Sequence, residues 1–319
     1  MKESHIWNFI YHHISKNNSV ILTAVVDHEE GSPGKEGFKM AVSSSGDFIG
    51  SVGGGVMEYD LIKRSGVLLK NKSPVNILEK FYHSKKKNVT KSGLICSGSQ
   101  TNFTVLLNKK DVKTVKDIVD YIAAYKPGKL SFSGKGIKII KRKKNDITYV
   151  FNYRNDDDWN YEETIGLKNF VYVIGGGHVG LAVSKIMSDL DFHVTVFDDR
   201  KDLPVLMNNK FANKIITGKF SRLGKHIAEG NQTYVVIVTK SYVSDKESLM
   251  QVINRNVRYI GIMGTKVKIK KIFNEAAKEG VSRELLKKVH APIGIDISSD
   301  TPEEIAVSIA AEIIKIKNS

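Results

Sequence analysis

The sequence predicts an α/β protein with two domains: a mixed α/β domain over residues 1–165 and a Rossmann-like, parallel-sheet domain over residues 166–319. From Phe170 onward, apolar strand patterns alternate with turns and helical patterns, which is typical of a parallel α/β sheet. Before that point, short strand patterns are joined by glycine-containing turns, which indicates a mixed architecture. A chain of 319 residues with 41% hydrophobic residues can build both cores.

The N-terminal half predicts a strand-rich domain with a few helices. Residues 20–26 form a continuous, β-branched apolar run, which indicates a buried strand. Residues 38–42 and 48–52 flank a serine- and glycine-containing turn and are expected to form a hairpin. The remaining elements are expected as helices over 4–17, 56–70 and 110–124 and strands over 101–107, 137–140 and 147–152. The polar stretch 154–163 is expected to be a linker or an irregular surface segment.

The C-terminal half opens with the most informative motif of the chain. An apolar strand over 170–174 runs into a turn that matches the pattern Gly-x-Gly-x-x-Gly: Gly175-Gly176-Gly177-His178-Val179-Gly180. In such a turn Gly175 permits the tight bend, Gly177 lets the backbone approach a pyrophosphate, and Gly180 lets helix and strand pack closely. The N–H groups at the start of the helix would hold the phosphate, and His178 is either structural or in contact with it.

An acidic residue follows at the expected distance. The next strand, 193–197, ends at Asp198, 18 residues after Gly180, where Rossmann domains place the acid that binds a ribose. Asp199 and Arg200 come next, and Arg200 could meet a phosphate or lie on the surface. This order of strand, turn, helix, strand and acid predicts a phosphate-bearing ligand, with NAD(P) among the possibilities. The alternative is a Rossmann-like domain whose site is empty or repurposed.

Two further glycine-containing helix starts are candidate anion sites. Gly53-Gly54-Gly55 opens the helix predicted over 56–70, with Glu58 in its first turn, and its backbone donors could bind an anion or simply form a tight turn. Gly264-Thr265-Lys266 follows the strand predicted over 257–262, and suits an anion or an ordinary capped helix with a lysine face.

The single cysteine, Cys96, excludes a disulfide within the chain. It lies in a glycine- and serine-rich turn, where its thiolate could contact a cofactor or carry sulfur. The alternative is an inert buried thiol.

The net charge of +15 does not predict nucleic-acid binding. Lysines outnumber arginines 41 to 8, and the basic runs lack the aromatic residues of a single-strand binding surface. The charge favours anionic small molecules and acidic protein partners. We expect no membrane association, because no apolar stretch reaches the length of a span, and a cytoplasmic location, because residues 1–7 lack a signal-peptide pattern.

Taken in order, several segments resemble the XdhC/CoxI family of xanthine dehydrogenase accessory factors. In the N-terminal domain they are 31–33, 38–40 and 50–58, and in the C-terminal domain 173–180, 198–200, 259–265, 291–296, 301–306 and 311–312. The resemblance covers nearly the whole chain and is weakest over 108–165.

The resemblance implies a maturation factor without turnover of its own, connected with purine catabolism. Such proteins bind molybdenum cofactor (molybdopterin), protect it while a cysteine desulfurase installs the terminal sulfido ligand, and deliver it to a xanthine dehydrogenase-type molybdenum hydroxylase. It also favours a homodimer and a cofactor-contacting role for Cys96. An NAD(P)-dependent oxidoreductase is the alternative, although the sequence offers no convincing acid–base pair near the glycine turn apart from His178.

Overall fold

A computed structural model of the chain describes residues 3–71, 74–83, 98–126, 128–141, 149–166 and 168–319. The chain divides into two compact units, Met1–Leu167 and Lys168–Ser319. None of the helices within the described ranges is both long and apolar enough to span a membrane.

The N-terminal unit is built on two antiparallel sheets. Its helices are α1 (Glu3–Ser15), α2 (Gly55–Asn71) and α3 (Val112–Ala123). Its strands are β1 (Val20–His28), β2 (Lys39–Ser43), β3 (Phe48–Gly50), β4 (Asn76–Tyr82), β5 (Ser99–Leu107), β6 (Gly128–Ser133), β7 (Gly136–Lys141), β8 (Tyr149–Asn155) and β9 (Asp158–Ile165). The first sheet has the order β3-β2-β1-β5-β4 and the second β7-β6-β9-β8.

The sequence of β1 is apolar without interruption because both faces of the strand are covered. Val20 and Leu22 lie in the core that α1 and α3 share, whereas Ile21 and Val25 lie in the core under α2. Successive side chains of a strand point to opposite faces, so a strand that is covered on both faces needs no polar alternation. The predicted hairpin is confirmed, because β2 and β3 pair across the turn.

The prediction of a linker or an irregular surface segment over 154–163 is wrong. Strands β8 and β9 form a hairpin there, and Asn155 accepts hydrogen bonds from the backbone of Asp157 and Asp158 at its turn. Along β9, Trp159 and Tyr161 are buried and alternate with more accessible residues. The cluster of polar residues at the turn hid this two-residue alternation, which is the signal of a half-buried strand.

The C-terminal unit is the predicted Rossmann-like domain. Its strands are β10 (Phe170–Ile174), β11 (His193–Asp198), β12 (Lys214–Thr217), β13 (Gly230–Ile237) and β14 (Val257–Ile262). Its helices are α4 (His178–Asp189), α5 (Pro204–Met207), α6 (Tyr242–Val252), α7 (Lys266–Lys278), α8 (Arg283–Leu286) and α9 (Pro302–Lys317). All five strands are parallel, in the order β12-β11-β10-β13-β14.

The strand order defines where a ligand can bind. The chain runs outward from β10 to β12 and then returns to place β13 on the other side of β10. Open α/β sheets bind ligands beyond the carboxyl ends of their strands at such a reversal. Helices α4 and α9 contribute Met187 and Ile313 to the core on one face of the sheet, and α6 and α7 contribute Leu249 and Ile272 to the core on the other. The glycine turn therefore lies at the expected ligand edge.

Candidate functional site

At two positions of the turn between β10 and α4 there is no room for a side chain, so glycine is required. Gly175 has φ 117°, and a Cβ there would lie 2.4 Å from the carbonyl oxygen of Val238, directly after β13. A Cβ on Gly180 would lie 1.9 Å from the carbonyl oxygen of Gly175. Backbone atoms cannot move aside as side chains do, so the turn is pressed against both α4 and the end of β13. This packing brings the turn to the strand reversal.

Gly177 is different, because nothing lies within 4 Å of the position its Cβ would take. It caps α4 in an extended conformation and offers no side-chain hydrogen bond. Among the described residues, no side chain accepts a hydrogen bond from the amide groups of Gly177, His178 or Val179, and the His178 side chain is exposed. The first amide groups of a helix lack partners within the helix, so this end of α4 is a position for an anion.

The other long helices of this unit supply their own caps. The side-chain oxygens of Ser241, Thr265 and Thr301 accept hydrogen bonds from the first turns of α6, α7 and α9, respectively. Thr301 and Glu304 form a capping box. A hydroxyl or carboxylate cap is the usual way to satisfy these donors. Helix α4 is therefore the one of these four helices that has no side-chain cap.

Asp198, the expected ribose-binding acid, is fully buried and hydrogen-bonded within the chain. Its Oδ1 accepts from the backbone N–H of Arg200 at 3.0 Å and from Arg200 Nε at 2.8 Å. Its Oδ2 accepts from the backbone N–H of Gly176 at 2.7 Å and from Arg200 Nη2 at 2.8 Å. Burial acts to raise the pKa of Asp198, but these hydrogen bonds outweigh it and lower the pKa to about 2. The carboxylate thus ties the glycine turn to Arg200.

Arg200 is partly accessible, with 32% of its side chain exposed, and Asp199 lies on the surface beside it. The Arg200 guanidinium uses only its Nε and Nη2 groups in the bidentate pair with Asp198. A guanidinium carries five N–H donors, so this one keeps donors for an anionic ligand. Arg200 is therefore both a structural partner of Asp198 and a cation at the ligand edge.

A second buried carboxylate lies beyond the ends of β13 and β14. Asp245 Oδ1 accepts from the hydroxyl of Thr239 at 2.6 Å and from its backbone N–H at 3.1 Å, and Oδ2 pairs with Lys268. Burial raises the pKa of Asp245 above its ordinary value, although Lys268 and Thr239 act to lower it. The lysine-rich start of α7 was visible in the sequence, but its pairing with Asp245 needs the fold. This pair places a cation, Lys268, at the ligand edge.

The candidate anion site at Gly264, Thr265 and Lys266 is a capped helix start in this structure. The hydroxyl of Thr265 accepts a hydrogen bond from the backbone N–H of Lys268 and so caps α7. The Lys266 side chain is exposed. The capped helix start is therefore present. An anion site at the exposed Lys266 stays a prediction.

Glu312 on α9 fixes the loop that follows β14 and α8. It accepts hydrogen bonds from the Tyr259 hydroxyl at 2.6 Å and from the backbone N–H of Gly294 at 2.8 Å, and His290 Nδ1 lies 3.0 Å from it. Burial acts to raise the pKa of Glu312, but these contacts outweigh it and lower the pKa. The sequence segments 259–265, 291–296 and 311–312 are thus joined in one network, and its role is to hold this loop.

The glycine turn of the N-terminal unit already contains an anion. Glu58 Oε2 accepts from the Ser51 hydroxyl at 2.6 Å and from the backbone N–H groups of Val52 and Gly54, both at 3.0 Å. Gly53, Gly54 and Gly55 all have positive φ, at 128°, 75° and 70°, which suits glycine alone. The backbone donors that the sequence offered to a ligand are therefore hydrogen-bonded to the chain's own carboxylate.

A buried polar cluster, not predicted from the sequence, lies beside that turn. Ser32 Oγ is 3.0 Å from His83 Nε2 and donates to Gln100 at 3.1 Å, and Gln100 donates to the carbonyl of Val52 at 2.9 Å. Burial lowers the pKa of His83. The run of polar residues at the start of β5 was the available signal. These contacts hold the loop 31–34 against the turn.

Cys96 lies outside the described residues. Within the described ranges, no group of three or more His, Cys, Asp or Glu side chains is placed to hold a metal ion.

Family comparisons match both units. The model for the XdhC Rossmann domain matches residues 171–313, which include the carboxyl ends of all five strands of the parallel sheet. The model for the XdhC and CoxI family matches residues 13–81. The second match contains the Gly53-Gly54-Gly55 turn and Glu58.

Individual relatives are distant. The Escherichia coli protein YqeB, which is uncharacterised, is 27% identical over 155 residues, covering 48% of this chain and 28% of that protein. A Bacillus subtilis protein named as a probable subunit of xanthine dehydrogenase is 26% identical over 145 residues, covering 46% of this chain and 42% of that protein. This chain thus spans less than half the length of either relative. A solved Bacillus halodurans structure described as a xanthine dehydrogenase has a TM-score of 0.79 and 20% identity, covers 100% of this chain and 96% of that chain, and shows the fold alone.

Proposed function

Because this chain belongs to the XdhC and CoxI family, we propose that it binds molybdenum cofactor, supports its sulfuration by a cysteine desulfurase and delivers it to a xanthine dehydrogenase-type hydroxylase. In this proposal the chain has no turnover of its own. The cofactor supplies the molybdenum chemistry once it is in the client, and the chain binds, orients and shields it.

The start of α4 is the observation that supports this proposal most directly. The cofactor carries a phosphate, and the first amide groups of α4 are donors with no side-chain cap. The space above Gly177 is open to a group that a side chain would displace. A phosphate is stabilised at a helix N-terminus both by these donors and by the helix dipole. The residues therefore fit the phosphate of this cofactor.

The charges around the ligand edge support an anionic ligand. Arg200 and Lys268 are paired with buried carboxylates but remain partly accessible, with 32% and 26% of their side chains exposed. Lys266 is exposed in the first turn of α7. Cations around a cleft raise the local concentration of an anionic ligand and hold its charged end. Binding and delivery of a cofactor need no proton transfer, so the proposal requires no acid–base pair at this edge.

A steric variant tests the binding step. Gly177→Val places a branched side chain in the open space where the phosphate would approach. Gly66→Val is the matched control, because Gly66 in α2 also has nothing within 4 Å of its Cβ position and no positive φ. Loss of charge-assisted hydrogen bonds costs about 1.5–3 kcal/mol, so we expect molybdopterin affinity to fall by about tenfold or more in Gly177→Val only.

Equilibrium titration of the full chain with molybdopterin measures this difference. Equal affinity of the wild type and both variants would contradict the proposal. The delivery step is tested in a deletion strain, in which we expect the hydroxylase to assemble but to lack sulfurated cofactor and activity. Normal specific activity of the hydroxylase in that strain would contradict delivery by this chain.

A further inference from the structure

We infer that the ribose position of this Rossmann unit is closed by the chain's own Asp198–Arg200 pair, so that the ligand edge accepts a phosphate but not the adenosine ribose of NADH. The inference rests on the proposed function only for the identity of the phosphate-bearing ligand. It narrows that function by separating this chain from the dinucleotide-binding proteins whose turn it shares.

The acceptor capacity of Asp198 is used up. An ionised carboxylate offers about four lone-pair positions. Oδ1 accepts from the backbone N–H and Nε of Arg200, and Oδ2 accepts from Gly176 and from Arg200 Nη2, all at 2.7–3.0 Å. A ribose diol would have to donate to the same oxygens. No acceptor position remains for it, and the Asp198 side chain has no exposed surface.

Displacing Arg200 to admit a diol is unfavourable. The bidentate pair of Arg200 with Asp198 has the fork geometry in which two parallel, charge-assisted bonds form together. A diol carries no charge, so the exchange would leave Asp198 buried without its counter-ion. Breaking a buried pair in this way is strongly destabilising. The closed arrangement therefore persists against a neutral competitor.

The same pair leaves the site open to an anion. Only two of the side-chain N–H groups of Arg200 are engaged with Asp198, and 32% of the side chain is exposed. Asp199 is the only other carboxylate within 4.0 Å of the Arg200 side chain among the residues that the structure describes, at 3.8 Å from Nε. A phosphate can accept from the remaining guanidinium donors without disturbing Asp198. Arg200 therefore discriminates between ligand classes at one position.

Arginine substitutions open the position in a predictable way. Arg200→Lys keeps a positive charge but cannot donate through a planar fork, and Arg200→Ala removes the side-chain donors altogether. Arg222→Ala is the control, because Arg222 is an exposed arginine of the same unit outside this network. The probe is NADH, titrated into the full chain and followed by nicotinamide fluorescence.

We expect no saturable NADH binding to the wild type or to Arg222→Ala, and a gain of at least about tenfold in NADH affinity in both Arg200 variants. Loss of a cation alone would weaken the binding of an anionic dinucleotide. A gain in NADH affinity would therefore come from the Asp198 carboxylate, which the substitution makes available to the ribose. Circular dichroism of each variant confirms folding, and Arg200→Lys is the variant to use if Arg200→Ala unfolds.

Saturable NADH binding by the wild type at the affinity of the Arg200 variants would overturn the inference, as would folded Arg200 variants that gain nothing. A wild type that binds neither NADH nor molybdopterin would contradict the proposed function and leave the closed ribose position standing.

Discussion

The chain contains two glycine-rich turns that lead from a strand into a helix. They differ in whether the backbone donors of the turn are hydrogen-bonded to a carboxylate of the following helix. Before α2, the backbone donors of Val52 and Gly54 are bound to the carboxylate of Glu58. Before α4, the glycine turn gives only the N–H of Gly176 to Asp198, and no side-chain cap reaches the helix start. The first turn is closed by the chain itself, and the second is left for a ligand.

The difference is encoded at one helical position. Glu58 lies three residues after the first residue of α2, where it can fold back onto the turn. The equivalent residue of α4 is Leu181, whose side chain accepts no hydrogen bond. A glycine-rich turn therefore predicts an anion site only when the following helical turn lacks a carboxylate that can reach back.

The steric contrast within the C-terminal turn has the largest expected effect. Gly180→Ala puts a Cβ 1.9 Å from the Gly175 carbonyl oxygen, whereas Gly177→Ala points into open space. Overpacking of a rigid core costs about 1–3 kcal/mol, and we expect Gly180→Ala to reach the upper end. Urea denaturation of the full chain measures both variants. Similar stability of the two variants would show that the turn is not pressed against α4 as described.

The second-largest expected effect is a loss of stability at low pH that depends on Asp198. The folded pKa of Asp198 is lowered from 3.8 to about 2. Its stabilising effect is therefore complete above about pH 4 and is lost as the pH falls toward 2, by about 2 kcal/mol. Denaturation of the wild type and of Asp198→Asn, measured from about pH 5 down to about pH 2, checks the difference. Parallel pH profiles would contradict the Asp198–Arg200 network.

Removing the Glu58 carboxylate should leave the backbone donors of the N-terminal turn free to bind an external anion, as at the start of α4. Glu58→Ala leaves Val52 and Gly54 without their acceptor, and we expect a loss of about 1.5 kcal/mol in the N-terminal unit. Inorganic phosphate should restore part of this stability by filling the vacated donors. Asp60→Ala is the control, because Asp60 is an exposed acid of the same helix. Thermal melts measure this effect. Equal stabilisation of the wild type, Glu58→Ala and Asp60→Ala by phosphate would contradict the role of Glu58 as the anion of this turn.

The sequence predicted β10, β11 and β14 and the starts of α4 and α7, because the glycine motif and the strand pattern are local signals. The short strand β12 was not predicted. The polar turn at 155–158 concealed the β8–β9 hairpin, since a turn rich in aspartate and asparagine resembles a linker when the strand alternation beside it is short. The roles of Glu58 and Arg200 depend on hydrogen bonds that only the folded backbone defines. Motif spacing located Asp198, but its saturation by Arg200 required the three-dimensional arrangement.

The amide resonances of the two turns test the contrast most directly. In ¹H–¹⁵N spectra of the full chain titrated with molybdopterin, the signals of Gly177, His178 and Val179 should shift with saturation, because phosphate binding changes the hydrogen bonding of these amides. The signals of Val52 and Gly54 should stay in place, because Glu58 holds them. Shifts confined to Val52 and Gly54, or the absence of any shift at the start of α4, would contradict the assignment of the cofactor to the C-terminal turn.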